Sequence, residues 1–237
     1  MKTNLRTKIV FAFVVCFTLI KAEADNFTMH ITVDNQYAAY KGNATSTSSL
    51  IGSDKDWTTV ETYTGTIDPN SEFLYVATAS DHRGLQGFFA DFHNDTKGIS
   101  ILTGDPVWQV FPAGAYLQQI DTSWPSTWPR LLMPTQTQVD QAIAYADANN
   151  LWLTPATGPG YNSGYNPWGR TFSPISSNAD FIWHDNGLNN SSRAPFEGFN
   201  HDEFLVFRVA AVPEPSSGVL TLMGLAPLVM VFRRRSI

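Results

Sequence analysis

Between residues 27 and 111 the apolar side chains gather in short runs closed by turn-forming residues. Phe27, Met29, Ile31 and Val33 alternate with Thr28, His30 and Thr32, the pattern of a strand with one buried face. Asp34-Asn35 follows, and both side chains bond nearby backbone and open turns. Tyr37–Lys41 reads as the returning strand, broken at Gly42-Asn43. Ala44–Asp56 is small and polar and reads as a loop with a short strand at Leu50-Ile51. Thr58–Thr66 is β-branched and aromatic and ends before the Asp68-Pro69-Asn70 turn. Phe73–Thr78 is apolar on both faces, which predicts a central strand. Asp81-His82-Arg83-Gly84 turns into Gly87–Phe92, and Trp108–Phe111 is a further short strand. This succession of strands and turns predicts an all-β sandwich.

After Phe111 the texture changes. Asp121–Pro134 is rich in Pro and Trp. Thr137, with Asp140 three residues on, predicts a helix start of the capping-box kind. Val139, Ala142, Ile143 and Ala146 form its apolar stripe, and Asn149-Asn150 ends it. Thr154–Pro174 reads as a loop rich in Gly, Pro and aromatics, while Ala179–Trp183 and Phe204–Val209 return to strand pattern. With no internal repeat and no linker, residues 25–211 form one domain, carrying a helix-containing insertion at about 121–178.

The two ends read as targeting segments. Lys2, Arg6 and Lys8 precede the apolar run Ile9–Ile20 and then Ala22-Glu23-Ala24, a secretory signal over residues 1–24 with a small-x-small cleavage site at Ala22 and Ala24. Residues 212–237 combine Pro213-Glu214-Pro215, an apolar stretch Gly218–Phe232 and the cluster Arg233-Arg234-Arg235. As a helix that stretch reaches only about 22–26 Å against a hydrocarbon core of about 30 Å, so it suits transient membrane contact. The arginines stay cytoplasmic, which leaves residues 25–211 outside. These three parts, in this order, resemble the PEP-CTERM sorting signal of Gram-negative bacteria. The resemblance implies export across the inner membrane, processing by an exosortase-type membrane enzyme, and release to the cell surface or extracellular matrix, where exopolysaccharide is made.

Residues 25–211 hold 8 basic and 19 acidic residues, a net charge of −11. That argues against nucleic acid and against adhesion to anionic lipid. The one cysteine, Cys16, lies in the signal, which excludes disulfides, thiolate metal sites and a cysteine nucleophile from the exported part. Asp34-Asn35-Gln36-Tyr37-Ala38-Ala39-Tyr40, Trp57, Tyr63, Phe73-Leu74-Tyr75-Val76-Ala77 and Gly87-Phe88-Phe89-Ala90 resemble galactose-binding-like modules. That likeness implies a jelly-roll-type β-sandwich, here with one inserted helix and long loops, and it carries over no ligand. Ala179–Trp183 and Phe207-Arg208, which resemble elements at the start of such modules, come last in this chain.

No Gly-x-Ser-x-Gly elbow, His-Glu-x-x-His, phosphate loop or dinucleotide fingerprint is present, so no enzyme is expected. A carboxylate pair for glycoside hydrolysis is defined by separation in space, which a sequence does not display. His82, His93, His184 and His201 each have a nearby acid, but in spacings that match no ligand motif, so no cofactor or metal is expected. A structural calcium is the alternative, since hard oxygen donors abound in the loops. The ligand-facing signal is aromatic. Tyr161, Tyr165 and Trp168 sit among glycines with Asn162, Asn166 and Arg170: rings to stack on a sugar face, and polar groups for its hydroxyls. The competing role for these rings, and for Trp124 and Trp128, is to anchor long loops. Tyr37, Tyr40, Trp57, Tyr75, Phe89 and Trp108 are expected in the core. The expected function is a non-enzymatic structural or glycan-binding component of an extracellular polysaccharide matrix, with a neutral glycan preferred because the domain is acidic. The alternatives are a polysaccharide hydrolase and a protein–protein adhesin.

Overall fold

The computed structural model describes residues 23–81, 86–164, 168–185 and 204–211. They form two antiparallel sheets packed face to face, an all-β sandwich with a small helical layer. The first sheet is ordered β4 (Glu61–Ile67), β1 (Asp25–Asp34), β6 (Gly87–Asn94), β10 (Asp180–Trp183), β9 (Ala156–Tyr161). A short strand β7 (Ile99–Leu102) shares the far edge of β6, alongside Asp91–Asn94. The second sheet is ordered β3 (Ser46–Asp54), β2 (Gln36–Asn43), β5 (Phe73–Ala79), β11 (Val206–Ala210), β8 (Gln109–Phe111). The chain repeatedly crosses between sheets: β1 to β2, β3 to β4, β4 to β5 and β5 to β6 each change sheet, the wrapping habit of a jelly roll.

The alternation in β1 sets the core. Phe27, Met29, Ile31 and Val33 point inward, and the last three lie opposite Phe92, Ala90 and Phe88 of β6 in register. Leu74, Val76, Phe207 and Val209 meet them from the second sheet. Phe88 stands edge-on to Phe207 with ring centroids 4.7 Å apart. As expected, β5 is central and buried on both faces. Its outer face, with Tyr75 and Ala77, joins Tyr40, Phe111 and Val206 beneath the helices.

The expected helix is α2 (Gln136–Ala148), with Val139, Ala142, Ile143 and Ala146 buried. Its cap is Thr135 rather than Thr137, in a reciprocal capping box with Gln138. Asp140, the expected box partner, instead accepts hydrogen bonds from the Thr47 backbone N–H and hydroxyl, both at 2.7 Å. That pins α2 to β3. A second helix, α1 (Ala113–Ile120), joins it and buries Leu117.

Two segments read as loop are strands. β3 occupies most of Ala44–Asp56 as an edge strand with mainly exposed Ser, Thr and Leu side chains. β9 lies inside Thr154–Pro174 and pairs with β10. Both are held by main-chain pairing rather than by a buried face, so neither leaves an alternating apolar pattern.

Candidate functional site

The two ends of the sandwich differ. One is closed by short turns at Asn43–Ser46, Asp68–Glu72 and Asn94–Gly98. At the other, β1 ends in Asp34, the β3–β4 loop carries Trp57, the chain leaves β5 through Ser80 and Asp81, and Trp168 of the 162–178 segment folds over the outer face of the first sheet.

Trp57 and Trp168 are the centre of this loop end. Their rings stack with centroids 5.3 Å apart and 29° between planes, and both stay partly exposed. The Thr32 hydroxyl donates to the Trp57 carbonyl at 2.8 Å, which ties the β3–β4 loop to β1. Trp168 also meets three rings edge-on: Phe181 at 4.4 Å, Phe172 at 5.2 Å and Phe89 at 5.9 Å. The Trp168 indole N–H donates to the Asp34 carboxylate at 3.1 Å.

Asp34 is 8% exposed. Burial pushes its pKa from 3.8 up to about 7; the Trp168 hydrogen bond works against that shift and the negative charge of Asp81 adds to it. Asp81 pairs with Arg130 at 3.6 Å, and its backbone N–H donates to the Asn35 side chain at 2.8 Å. Beside Trp57, Asp56 accepts from the Thr58 hydroxyl at 2.6 Å and the Thr58 N–H at 3.0 Å. These bonds, with the Arg170 charge, hold its carboxyl below the usual range. The exposed Arg170 lies 5.2 Å from the centre of the Phe172 ring.

Of the six residues expected to form a glycan platform, Tyr161, Asn162, Trp168 and Arg170 are described, and they differ in exposure. Tyr161 is 57% exposed, at the end of edge strand β9. Asn162 is wholly buried, which corrects its assignment as a ligand-binding group. Its amide nitrogen donates to the carbonyls of Phe172, Ile175 and Ser176 at 3.0, 2.9 and 3.3 Å, and its oxygen accepts from the Phe172 N–H at 2.7 Å. This one side chain closes the loop, by the Asx chemistry its residue type favours. Replacing it with Ala leaves buried backbone groups unpaired at about 1–3 kcal/mol each. Thermal melting of Asn162→Ala is expected about 5–12 °C below wild type. Trp168 anchors the loop as well as facing outward, and Tyr165 and Asn166 lie outside the described residues.

Trp57 is the residue that sequence reasoning misplaced. It lies in the β3–β4 loop, not in a core strand; its polar neighbours Lys55-Asp56 and Thr58-Thr59 are the overlooked signal of a turn. Trp124 and Trp128 are anchors, packed on Phe204 at 6.3 and 4.8 Å. His93 bonds the Ser100 hydroxyl at 2.9 Å, and His184 is buried with its pKa lowered by that burial. His82 and His201 fall outside the described residues. Among the described residues no three His, Cys, Asp or Glu side chains converge on a metal position. Two described cavities, about 180 Å³ between β3 and β4 and about 130 Å³ beside Trp108, are smaller than the usual ligand pocket of ~300 Å³ or more.

Of the targeting residues, Ala24 is exposed just ahead of β1. Ala22, Pro213, Glu214, Pro215, Arg233, Arg234 and Arg235 lie outside the described residues, among which no helix is long and apolar enough to cross a membrane. Compared with protein-family models, curated proteins and solved structures, the chain matches none of them.

Proposed function

We propose that this is an exported, surface-sorted, non-enzymatic protein of the extracellular polysaccharide matrix of a Gram-negative bacterium, and that its loop end holds a neutral glycan. The observation that carries the glycan reading is the partly exposed Trp57–Trp168 stack flanked by Asp56 and Arg170. Indole faces suit the C–H face of a sugar ring, and a carboxylate and a guanidinium beside them suit its hydroxyls. Loops at the end of a sandwich are free to carry such a site because the strands hold the fold without them. The export and sorting reading rests on the amino-terminal signal and on the Pro-Glu-Pro, apolar and arginine tail, which call for a signal peptidase and an exosortase-type enzyme as processing partners.

One observation favours a hydrolase as the second reading. Asp34, with its pKa near 7, has a second carboxyl, Asp81, close enough to raise it further, and paired carboxyls of unlike pKa are the machinery of glycoside cleavage. Against this, Asp34 is nearly covered and already accepts the Trp168 N–H.

A single experiment separates the readings: retention on exopolysaccharide from the native host, with melting and release of reducing ends followed in parallel. Trp57→Ala is expected to lower retention about tenfold, the loss of one stacking contact of roughly 1.4 kcal/mol. Exposed Arg170→Ala lowers it less, and both variants still melt cooperatively. Release of reducing ends that stops in Asp34→Asn would establish the hydrolase. Wild-type protein that is not retained would remove the glycan reading and leave the protein–protein adhesin.

A further inference from the structure

An open sheet edge exposes main-chain N–H and C=O groups with which another strand can pair. Most edges of this sandwich are occupied. At β8, Val110 exchanges both main-chain bonds with Leu153 at 2.9 Å. At β9, Pro159 has no N–H to offer. Short β7 ends at Leu102, whose N–H donates to the Asp105 carboxylate and whose carbonyl accepts the Trp108 indole N–H. On β3 the Asp140 carboxylate takes the Thr47 N–H, and the ladder with β2 shifts register twice. Among the described residues, no strand pairs beyond β4. Asn26 of β1 turns its main chain toward Asp95 and Thr96, away from its β4 partner Thr66. By the alternation of an antiparallel ladder, Thr62, Thr64 and Thr66 therefore direct their main-chain groups outward. The Lys41 ammonium, which donates to the Thr66 carbonyl at 2.7 Å, agrees with that direction.

We propose that β4 pairs antiparallel with β4 of a second copy of this chain, about a two-fold axis at Tyr63, so that two first sheets become one. In that register Thr62 faces the partner's Thr64, and Thr64 faces the partner's Thr62. Both pairs close reciprocal main-chain hydrogen bonds and leave the Thr66 carbonyl to Lys41. Thr opposite Thr is also a favourable side-chain pair. Gly65 then faces the partner's Glu61. Both positions lie on the inner side of the sheet, where Gly65 is in register with Phe27 and Glu61 with Ile31. Gly65 borders the hollow of about 180 Å³ between β3 and β4, whose lining includes Lys41 and the exposed Leu50. A Cβ at position 65 would stand 3.0 Å from the Phe27 ring, so glycine keeps this hollow open. The partner's Glu61 brings a carboxylate to a hollow with a lysine in its wall. Charge thus favours this edge and this occupant. Two copies of residues 25–211, each at −11, repel one another. Yet β4 carries no charge after Glu61, and the two-fold axis sets the two Glu61 side chains at opposite ends of the pairing. With the other edges occupied, pairing stops at two copies and does not run on into a fibre.

The test uses the full chain in mild detergent, with its one cysteine removed by Cys16→Ser. Thr62→Cys and Thr64→Cys, both at exposed positions, each add a single thiol. Residues opposite one another in a hydrogen-bonded pair stand about 5.5 Å apart at Cα, within reach of a disulfide. The two variants are mixed at about 100 μM, because so short an edge makes a weak dimer. On mild oxidation the 62–64 disulfide is expected at least about fivefold above the 62–62 and 64–64 products, whose residues lie on diagonals. Thr64→Pro removes an outward N–H and no bond to β1. It should melt close to wild type and sediment as a monomer where wild type is a dimer. Glu61→Lys sets a second cation toward Lys41 and should weaken the dimer about tenfold. A dominant 64–64 product overturns the axis at Tyr63. Wild type that sediments as a monomer with no preferred disulfide overturns the pairing and leaves the edge to an extended segment of another protein. A dimer that survives in folded Thr64→Pro places the contact elsewhere and overturns it too; if that variant does not fold, the cysteine pair decides.

Discussion

Replacing Asp34 by Asn is expected to raise the melting temperature at pH 8 and to change it little at pH 4. The sign follows from proton binding. Burial raises the folded-state pKa of Asp34 to about 7 from an ordinary 3.8, so between those values the folded chain holds a proton that the unfolded chain has released. Stability contributed by this group is therefore full at low pH, and it is lost as pH rises from about 4 to about 7. Three pK units correspond to about 4 kcal/mol, an upper limit because the site can relax around the charge. Asn is neutral at every pH and keeps an oxygen to accept the Trp168 N–H, so it removes the loss and keeps the bond. At pH 8 the variant should be about 2–4 kcal/mol more stable, roughly 5–15 °C for a domain of this size. A shallower slope of the same sign should remain, because Asp91 and Asp180 are also raised by burial. Wild-type stability that holds level from pH 4 to pH 8 would show that Asp34 is not buried as described.

That prediction was beyond the reach of the sequence, and the reason is distance along the chain. Asp34 reads there as a turn residue, and its carboxyl becomes unusual only in the folded chain, where burial and the nearby Asp81 raise its pKa and Trp168, 134 residues away, donates to it. Local signals were legible where a strand buries one face or both: β1, β2, β5 and β6 carry their burial in alternation or in continuous apolar runs. They failed where main-chain pairing alone holds a strand, as in β3, or where four residues suffice, as in β7. Helix α1 hid because it lacks a side-chain cap and carries no charge at either end. Within the candidate site, the residue types were legible and their roles were not. Asn162 and Trp168 were singled out for the right chemistry, hydrogen bonding and ring stacking, but the structure turns Asn162 wholly and Trp168 partly toward the protein itself. Nothing in a sequence tells an aromatic that anchors a loop from one that faces a ligand, because both jobs call for the same ring.

The second large effect is expected at Arg208, which fastens the helical layer to the second sheet. It sits on β11 between Tyr75 of β5 and Gln109 of β8, facing the helices. Its guanidinium lies 3.9 Å from the centre of the Trp152 ring and 4.9 Å from that of Phe73. Its Nε donates to the Gln109 side chain at 2.7 Å, and Nη1 donates to Asp147 of α2 at 3.3 Å. A planar cation between two rings, with a carboxylate at its edge, uses nearly every binding mode of the guanidinium at once. Arg208→Ala removes the cation, leaves Gln109 without its donor and opens a void under Trp152, whose own indole N–H is buried without a partner. Breaking a buried pair by deleting one member costs about 3–5 kcal/mol. Asp147 is partly open to water, which places the expected loss near the lower figure. Arg208→Met refills the void and keeps a sulfur contact with the rings, so it should recover about half of that loss in urea titration. Arg208→Lys keeps the charge but not the plane, and should fall between Met and wild type. If Ala instead costs less than about 1 kcal/mol, the figure for an exposed pair, then α2 is held by Val139, Ala142, Ile143 and Ala146 and by the Asp140–Thr47 bonds, and the guanidinium contributes packing, not attachment.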